Sequence, residues 1–208
     1  MTMLRFSEIL ISRICHDVIA PLGAVSTGLE LFQDIAPSKS VESEEIFDLI
    51  ANSALSATTR ITFFRAAFGG GALSPQDIRA LLEKYFSESK MALKWEGTLP
   101  KEAPFKEWGR LLLTAALCLS DCAPRGGEIT IEAPKKKELL ALRLKADSIR
   151  LHPGWLEALT GEIEEESLNA RTIPCYAIHR LVQEIGAACE VEHLTSSSEL
   201  TVKIKKRA

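Results

Sequence analysis

Two adjacent residues, His16 and Asp17, form the pair in this sequence best suited to chemistry. A neutral imidazole is a nucleophile toward phosphorus, and histidine titrates near neutrality, so the unprotonated form is available. The neighbouring carboxylate can accept a hydrogen bond from one ring nitrogen and so direct the other nitrogen outward. The ordinary alternative is a surface histidine whose acidic neighbour has no role.

The residues around His16 predict a long helix that packs in a bundle or coiled coil. Its apolar stripe has spacings of four and three and consists of Ile11, Cys15, Val18, Leu22, Val25, Leu29 and Phe32. His16 lies beside this stripe, where its side chain can reach water. Pro21 leaves the carbonyl of Asp17 without its helical donor, and the helix is expected to bend there. Proline inside a helix costs about 3 kcal/mol, and a chain that tolerates this beside an exposed His–Asp pair is expected to use the site.

The arrangement Arg-x-Cys-His-Asp ending at Asp17, with Pro21 and Leu22 after it, resembles the H-box of bacterial histidine kinases. That segment is their dimerisation and histidine-phosphotransfer helix. The match is closer to one group, the ChpT-like histidine phosphotransferases of alphaproteobacteria, and it extends over the whole chain in length and order of elements. The resemblance implies that His16 carries a phosphoryl group, that Asp17 orients the imidazole of His16, and that Pro21 shapes the local helix.

The composition is that of a globular protein with a real core. The chain has 208 residues, which suits two small domains or one large one, and 46% of its residues are hydrophobic. A net charge of −3 gives no electrostatic case for nucleic-acid binding. We expect no membrane-spanning segment and no signal peptide, and hence a cytoplasmic protein. The five cysteines contain no C-x-x-C pair, which favours buried free thiols over zinc or a disulfide framework.

A second helix with matching periodicity follows a short polar loop. The first helix is predicted from about Leu4 to Ile35, and the second ends at a run of three glycines that starts at Gly69. The apolar stripe of the second helix is Phe47, Ile50, Ala54, Ala57, Ile61, Phe64 and Phe68. Two such helices form an antiparallel hairpin, and pairing two hairpins in a homodimer gives a four-helix bundle. The alternative is that the C-terminal half of the same chain covers the stripe.

Folding the hairpin about its loop places His16 level with about Ile61. Arg13, Arg60 and Arg65 then lie within about a turn of the histidine. Guanidinium groups at this level could steady a phosphoryl group in transit, or they could be solvated surface charges, which is the commoner case.

Another face of the first helix, pointing away from the stripe, is small and apolar where a solvent-facing surface is normally charged. It consists of Ala20, Gly23, Ala24, Thr27 and Leu31. We call this set the small-residue strip. It could be the docking surface of a partner, or it could be covered by the second domain of the same chain.

The rest of the chain predicts helices on one face of a mixed sheet, an α+β sandwich. Ser74 caps a helix that starts at Pro75, a helix covers about Phe105 to Cys122, and the lysine run 135–137 is a solvated hairpin tip. We therefore predict two domains, a dimerisation and histidine-phosphotransfer hairpin over 1–70 and a second domain over 71–208.

The order of elements in 71–208 resembles the Bergerat ATP-binding domain of histidine kinases, but its nucleotide motifs are missing. The family's magnesium-holding asparagine has no counterpart, because Asn52 and Asn169 lie elsewhere. The residues after Asp147 lack the paired glycines that let backbone amides approach phosphate. We expect no bound cofactor or metal and no direct use of ATP, with magnesium supplied by the receiver partner.

The predicted function is a dimeric histidine phosphotransferase that relays a phosphoryl group between receiver-domain aspartates through His16. By resemblance, its partners are the receiver of a hybrid histidine kinase and the receivers of cell-cycle response regulators. The alternatives are an ATP-using histidine kinase with divergent motifs and a dimeric adaptor that binds receivers without chemistry.

Overall fold

The computed structural model describes residues 2–35, 41–69, 71, 73–98, 100–133, 138–194 and 198–207. Within these residues the chain forms, in order, α1 (Met3–Ile35), α2 (Val41–Phe68), α3 (Pro75–Phe86), β1 (Met91–Glu96), α4 (Trp108–Asp121), β2 (Gly127–Glu132), β3 (Glu138–Lys145), α5 (Trp155–Thr160), α6 (Ile173–Glu184), β4 (Ala187–Leu194) and β5 (Glu199–Lys206). A 3-10 turn, Glu165–Ser167, lies between α5 and α6. The loop between the first two helices and the lysine run 135–137 lie outside the described residues.

The five strands form one mixed sheet with the order β1-β2-β3-β5-β4. β1 and β2 are parallel, with Met91 opposite Gly127, and the remaining pairs are antiparallel. Helices α3, α4 and α6 contact strands of this sheet. The α+β class predicted from the sequence is confirmed.

Helix α4 lies at the centre of the hydrophobic core. It contacts β2 and β3 on one side and α2, α3 and α6 on others. Leu111, Leu112 and Leu119 are therefore fully buried, and the helix is apolar around most of its circumference. A helix that is apolar on nearly every side is stable only when it is enclosed, as here.

The two long helices contact each other and also join this core. Gly28 near the end of α1 faces Ile50 near the start of α2, where a Cβ on Gly28 would lie 2.6 Å from Cγ1 of Ile50. Glycine thus lets the helices approach closely. Farther along, Ile9 of α1 and Phe63 of α2 belong to the same buried cluster as α4.

The face that α1 presents to its own chain differs from the predicted stripe. Its buried residues are Ile9, Arg13, Val18 and Gly28. Of the predicted stripe, Val18 is buried, but Ile11, Leu22 and Leu29 are each about half exposed. On α2, Phe47 and Ile61 are exposed as well. The contacts within the chain are made by a neighbouring strip of the helix, and much of the predicted stripe remains uncovered.

The start of α3 follows the prediction closely. Ser74 is its N-cap, the Ser74 hydroxyl accepts a hydrogen bond from the Asp77 backbone N–H at 3.1 Å, and Pro75 occupies the first turn. Helix α4 begins at Trp108, later than predicted, because the residues just before it form turns.

By length and mean hydropathy, the segment Met3–Gln33 of α1 could span a membrane, contrary to the sequence-based expectation. The same test is passed by helices that pack inside globular proteins. Here Arg13 and Asp17, in the middle of the segment, form ion pairs, one of them with α4. These contacts join the middle of α1 to the rest of the fold.

Candidate functional site

His16 lies on α1 with its ring exposed to solvent and one ring nitrogen within hydrogen-bonding distance of Asp17. The side chain is 83% exposed, and Nδ1 lies 3.1 Å from Oδ1 of Asp17. With the proton on Nδ1, the ring donates to the carboxylate and its Nε2 lone pair is free. An exposed, oriented nitrogen of this kind can attack an electrophile carried by another protein.

The carboxylate of Asp17 is itself held by Arg13, one helical turn earlier. Nε of Arg13 donates to Oδ2 of Asp17 at 2.9 Å, and the Asp17 side chain is only 13% exposed. The two oxygens of Asp17 therefore have different partners: one binds the guanidinium and the other binds His16. This division restricts the rotation of the carboxylate and hence the orientation of the imidazole.

The terminal nitrogens of Arg13 reach across to the last residue of α4, Asp121. Nη1 donates to Oδ2 at 2.8 Å and Nη2 to Oδ1 at 3.0 Å, a bidentate pair. Arg13 is only 8% exposed, so the pair is largely screened from water. The four side chains form one line of contacts, His16–Asp17–Arg13–Asp121, that joins α1 to the second half of the chain.

Burial and charge act against each other in this line. Burial works to lower the pKa of Arg13, but the two carboxylates outweigh it and raise that pKa further above its ordinary value. Burial raises the pKa of Asp121, and the contact with Arg13 offsets part of the rise. Two carboxylates, Asp17 and Asp121, therefore share one guanidinium in this cluster.

The three arginines predicted to lie near the histidine have different surroundings. All three guanidinium nitrogens of Arg13 are engaged by carboxylates, so it serves to hold Asp17. Arg60 places its guanidinium carbon 5.9 Å from the ring centroid of Tyr85, and its Nε is buried with no hydrogen-bond partner among the described residues. Arg65 is exposed, and its side chain makes no hydrogen bond or ion pair within the described part of the chain. A role for Arg60 or Arg65 toward a phosphoryl group stays a prediction.

A cleft of about 370 Å³ opens beside Arg60 and Tyr85 and is lined also by Lys90 and Ser120. Tyr85 stacks on Phe63 at a centroid distance of 3.9 Å. Burial, reinforced by the charge of Asp17, raises the pKa of Tyr85 to about 12, so its hydroxyl stays protonated at neutral pH. This cleft brings a cation and a phenol into the neighbourhood of Asp17.

Most of the small-residue strip is exposed in the single chain. Ala20, Gly23, Thr27 and Leu31 are exposed and Ala24 is half-buried. A Cβ built on Gly23 meets nothing within 4 Å. The described residues of the second half leave most of the strip uncovered. Helix α1 also runs through Pro21 without interruption.

The remaining histidines and the cysteines lie in separate parts of the described structure. His152 contacts Arg171, and His179 lies near Tyr176. All five cysteines are free; Cys118, Cys122 and Cys175 are buried and Cys15 is exposed. Among the described residues, no group of three or more histidine, cysteine or acidic side chains is placed to hold a metal ion.

Asp121 is the site residue that sequence reasoning missed. A helix was predicted here and is present with a later start, but nothing local links its end to His16. One signal was present: an aspartate closes a helix whose C-terminal end disfavours negative charge. Such a residue needs a cation nearby, and a search for that cation could have led to Arg13.

The chain is similar in sequence to known histidine phosphotransferases. The family model for the histidine phosphotransferase C-terminal domain matches residues 75–196. The protein phosphotransferase ChpT of Brucella abortus (strain 2308) is 31% identical over 206 residues, covering 94% of this chain and 93% of that protein.

The fold comparison gives the same picture. A bacterial phosphotransferase whose structure was solved at 1.7 Å superposes with a TM-score of 0.82 and 27% identity, covering 99% of this chain and 98% of the other. The mycobacterial sensor histidine kinase MprB gives a TM-score of 0.45 at 12% identity over 67% of this chain and 99% of its own, too low to carry an argument. The chain belongs to the histidine phosphotransferase family of two-component signalling and is a phosphotransferase.

Proposed function

We propose that this protein is a phosphorelay intermediate that takes a phosphoryl group from the aspartate of one receiver domain onto His16 and passes it to the aspartate of another. The observation that carries the proposal is the exposed His16 ring, anchored through Nδ1 to Asp17. By family resemblance, the donor is the receiver of a hybrid histidine kinase and the acceptors are cell-cycle response regulators. A cytoplasmic location goes with these partners.

The transfer is a displacement at phosphorus. The Nε2 lone pair of His16 attacks the phosphorus of the receiver's acyl phosphate, and a P–N bond forms as the P–O bond to the aspartate breaks. The aspartate leaves as a carboxylate with the bonding electron pair. The proton on Nδ1 stays in its hydrogen bond to Asp17, so the ring becomes cationic and the carboxylate stabilises it. The second transfer reverses these steps on another receiver.

The catalytic contribution of this chain is mainly positioning. Asp17 fixes the ring, Arg13 fixes Asp17, and the phosphoryl group's own oxygens are to be neutralised by magnesium held in the receiver. Arg60 and Arg65 are candidates for further contact with the phosphoryl group. The nucleotide motifs missing from the sequence are the reason to propose that ATP is not a substrate.

The exposed apolar residues of α1 and α2 support a homodimer. Ile11, Leu22, Phe47 and Ile61 are large and exposed in the single chain, and together they suit the face of a four-helix bundle made from two hairpins. Residues 1–70 would then form the dimerisation and phosphotransfer part, and 71–208 the degenerate Bergerat-like part. The small-residue strip, close below His16 on α1, is the proposed docking surface for the receiver.

The test uses phosphoryl label from a panel of phosphorylated receiver domains. Wild type is expected to acquire an acid-labile, alkali-stable adduct, and His16→Gln to lose it with no change in circular dichroism. His193→Gln is the matched control, because His193 is exposed on β4 and makes no contact with the described residues of the site. Full labelling of the His16→Gln protein would refute the proposal.

The same experiment separates the alternatives. Labelling of His16 from ATP and magnesium without a receiver would identify a histidine kinase. Binding of a receiver with no label under any condition would identify an adaptor.

A further inference from the structure

We propose that Asp121 is a positioning residue for His16, acting through Arg13 and Asp17, so that the second half of the chain sets the tautomer of the phosphoacceptor. The inference deepens the proposed function, since it matters for transfer only if His16 is the nucleophile. Its structural part, the tautomer of the ring, can be measured with no partner present.

The N–H donors of Arg13 are divided between two carboxylates, those of Asp17 and Asp121. One N–H each of Nη1 and Nη2 is directed at Asp121, at 2.8 and 3.0 Å, and Nη1 also lies 3.5 Å from the carbonyl oxygen of Ala170, while Asp17 is bound through Nε alone. Nε binds Oδ2 of Asp17 at 2.9 Å. The other oxygen, Oδ1, is therefore available to accept from Nδ1 of His16 at 3.1 Å.

Without Asp121, the N–H donors of Arg13 would no longer be divided between two carboxylates. A guanidinium preferentially grips a carboxylate with two parallel N–H donors, and Asp17 is the other carboxylate within reach of Arg13. The freed terminal nitrogens would turn to Asp17 and compete for Oδ1. Nδ1 of His16 would then lose its preferred acceptor, and the proton would distribute over both ring nitrogens. The fraction of molecules with a free Nε2 lone pair would fall.

A carboxylate at position 121 is unfavourable by itself, and its pairing with Arg13 offsets this cost. Asp121 ends α4, where the helix dipole disfavours a carboxylate, and burial raises its pKa. Its side chain remains 25% exposed, so the neutral, equally sized asparagine is a suitable replacement. The carboxylate of Asp121 holds Arg13 in place. Arg13 in turn holds Asp17, whose Oδ1 accepts the hydrogen bond from His16.

The experiment uses the full-length chain labelled with nitrogen-15. In wild type, the His16 ring nitrogens are expected to report the Nδ1–H tautomer, and phosphoramidate, a small phosphoryl donor that needs no partner, is expected to label His16. In Asp121→Asn, we expect a mixed tautomer and labelling several-fold slower, because the rate falls with the fraction of rings whose Nε2 lone pair is free. Asp147→Asn is the matched control, since Asp147 is an exposed aspartate in the same half of the chain.

A second variant covers the case in which Asp121→Asn does not fold. Arg13→Lys keeps the charge, but one ammonium cannot bridge both carboxylates in this geometry, and the same loss of tautomer and rate is expected. Wild-type ring shifts together with an unchanged labelling rate in a folded Asp121→Asn or Arg13→Lys protein would overturn the inference. Failure of wild type to take label from any receiver would instead refute the proposed function, and the tautomer measurement would still stand by itself.

Discussion

Replacing Arg13 with alanine is expected to destabilise the fold substantially, although Arg13 is a charged residue on the N-terminal helix. Arg13 is 8% exposed and bridges Asp17, which is 13% exposed at the side chain, and Asp121, which is 25% exposed. Its removal leaves two carboxylates close together with no cation between them. Breaking a buried ion pair by removing one partner costs about 3–5 kcal/mol.

We expect the lower end of that range, about 3 kcal/mol, because Asp121 retains some contact with water. For a chain of this size, each kcal/mol lowers Tm by about 2–4 °C, so a fall of roughly 6–12 °C is expected. Arg13→Lys should lose less, about 1–2 kcal/mol, since the ammonium still neutralises one carboxylate.

The loss should also depend on pH. In Arg13→Ala, Asp121 lacks the cation that offsets its burial, so its folded-state pKa rises further above the unfolded value. A carboxyl with a raised folded pKa takes up its proton first in the folded state, so folding becomes more favourable as the pH falls toward that pKa. The difference in stability between variant and wild type should therefore narrow from about pH 7 to about pH 5.

The assay is urea unfolding followed by circular dichroism at several pH values. Arg150→Ala is the control, because Arg150 is exposed and its side chain makes no hydrogen bond or ion pair with the described residues. We expect a change below about 0.5 kcal/mol. A loss in Arg13→Ala below about 1 kcal/mol at neutral pH, or a gap that widens on acidification, would refute the reasoning.

Three further predictions concern the surface around His16. Gly23→Arg should weaken receiver binding at least tenfold, measured by calorimetry, because the new side chain covers the small-residue strip. The dimer should stay intact in sedimentation, because a Cβ at Gly23 meets open space. Separation of the dimer would show that this face belongs to the bundle. The His16→Ala protein should not shorten the half-life of a phosphorylated receiver, because Ala20, one turn along α1, has no group to orient a water molecule. A shortened half-life would show that another group orients the water. ATP with magnesium should give no calorimetric signal at micromolar concentration, and clear binding would favour a histidine kinase.

Local sequence determined several parts of this protein. Adjacent residues on one helix are near each other whatever the tertiary structure, so the pairing of His16 with Asp17 could be predicted. The Ser74 cap and the strands were predictable for a similar reason, since caps and alternating patterns depend on residues a few positions apart. The family resemblance also rested on such a local motif.

The tertiary structure decided what lies far apart in the chain. Arg13 and Asp121 are 108 residues apart, and they meet only because α4 is enclosed between the sheet and the long helices. Hydrophobic periodicity in the sequence could not predict this partner of Arg13. Packing also selected which stripe of α1 is buried: Arg13 and Gly28 face the chain, while Ile11 and Leu22, equally plausible from their spacing, remain exposed. A helix can offer several apolar faces, and the choice among them depends on the surfaces that the rest of the fold brings to it.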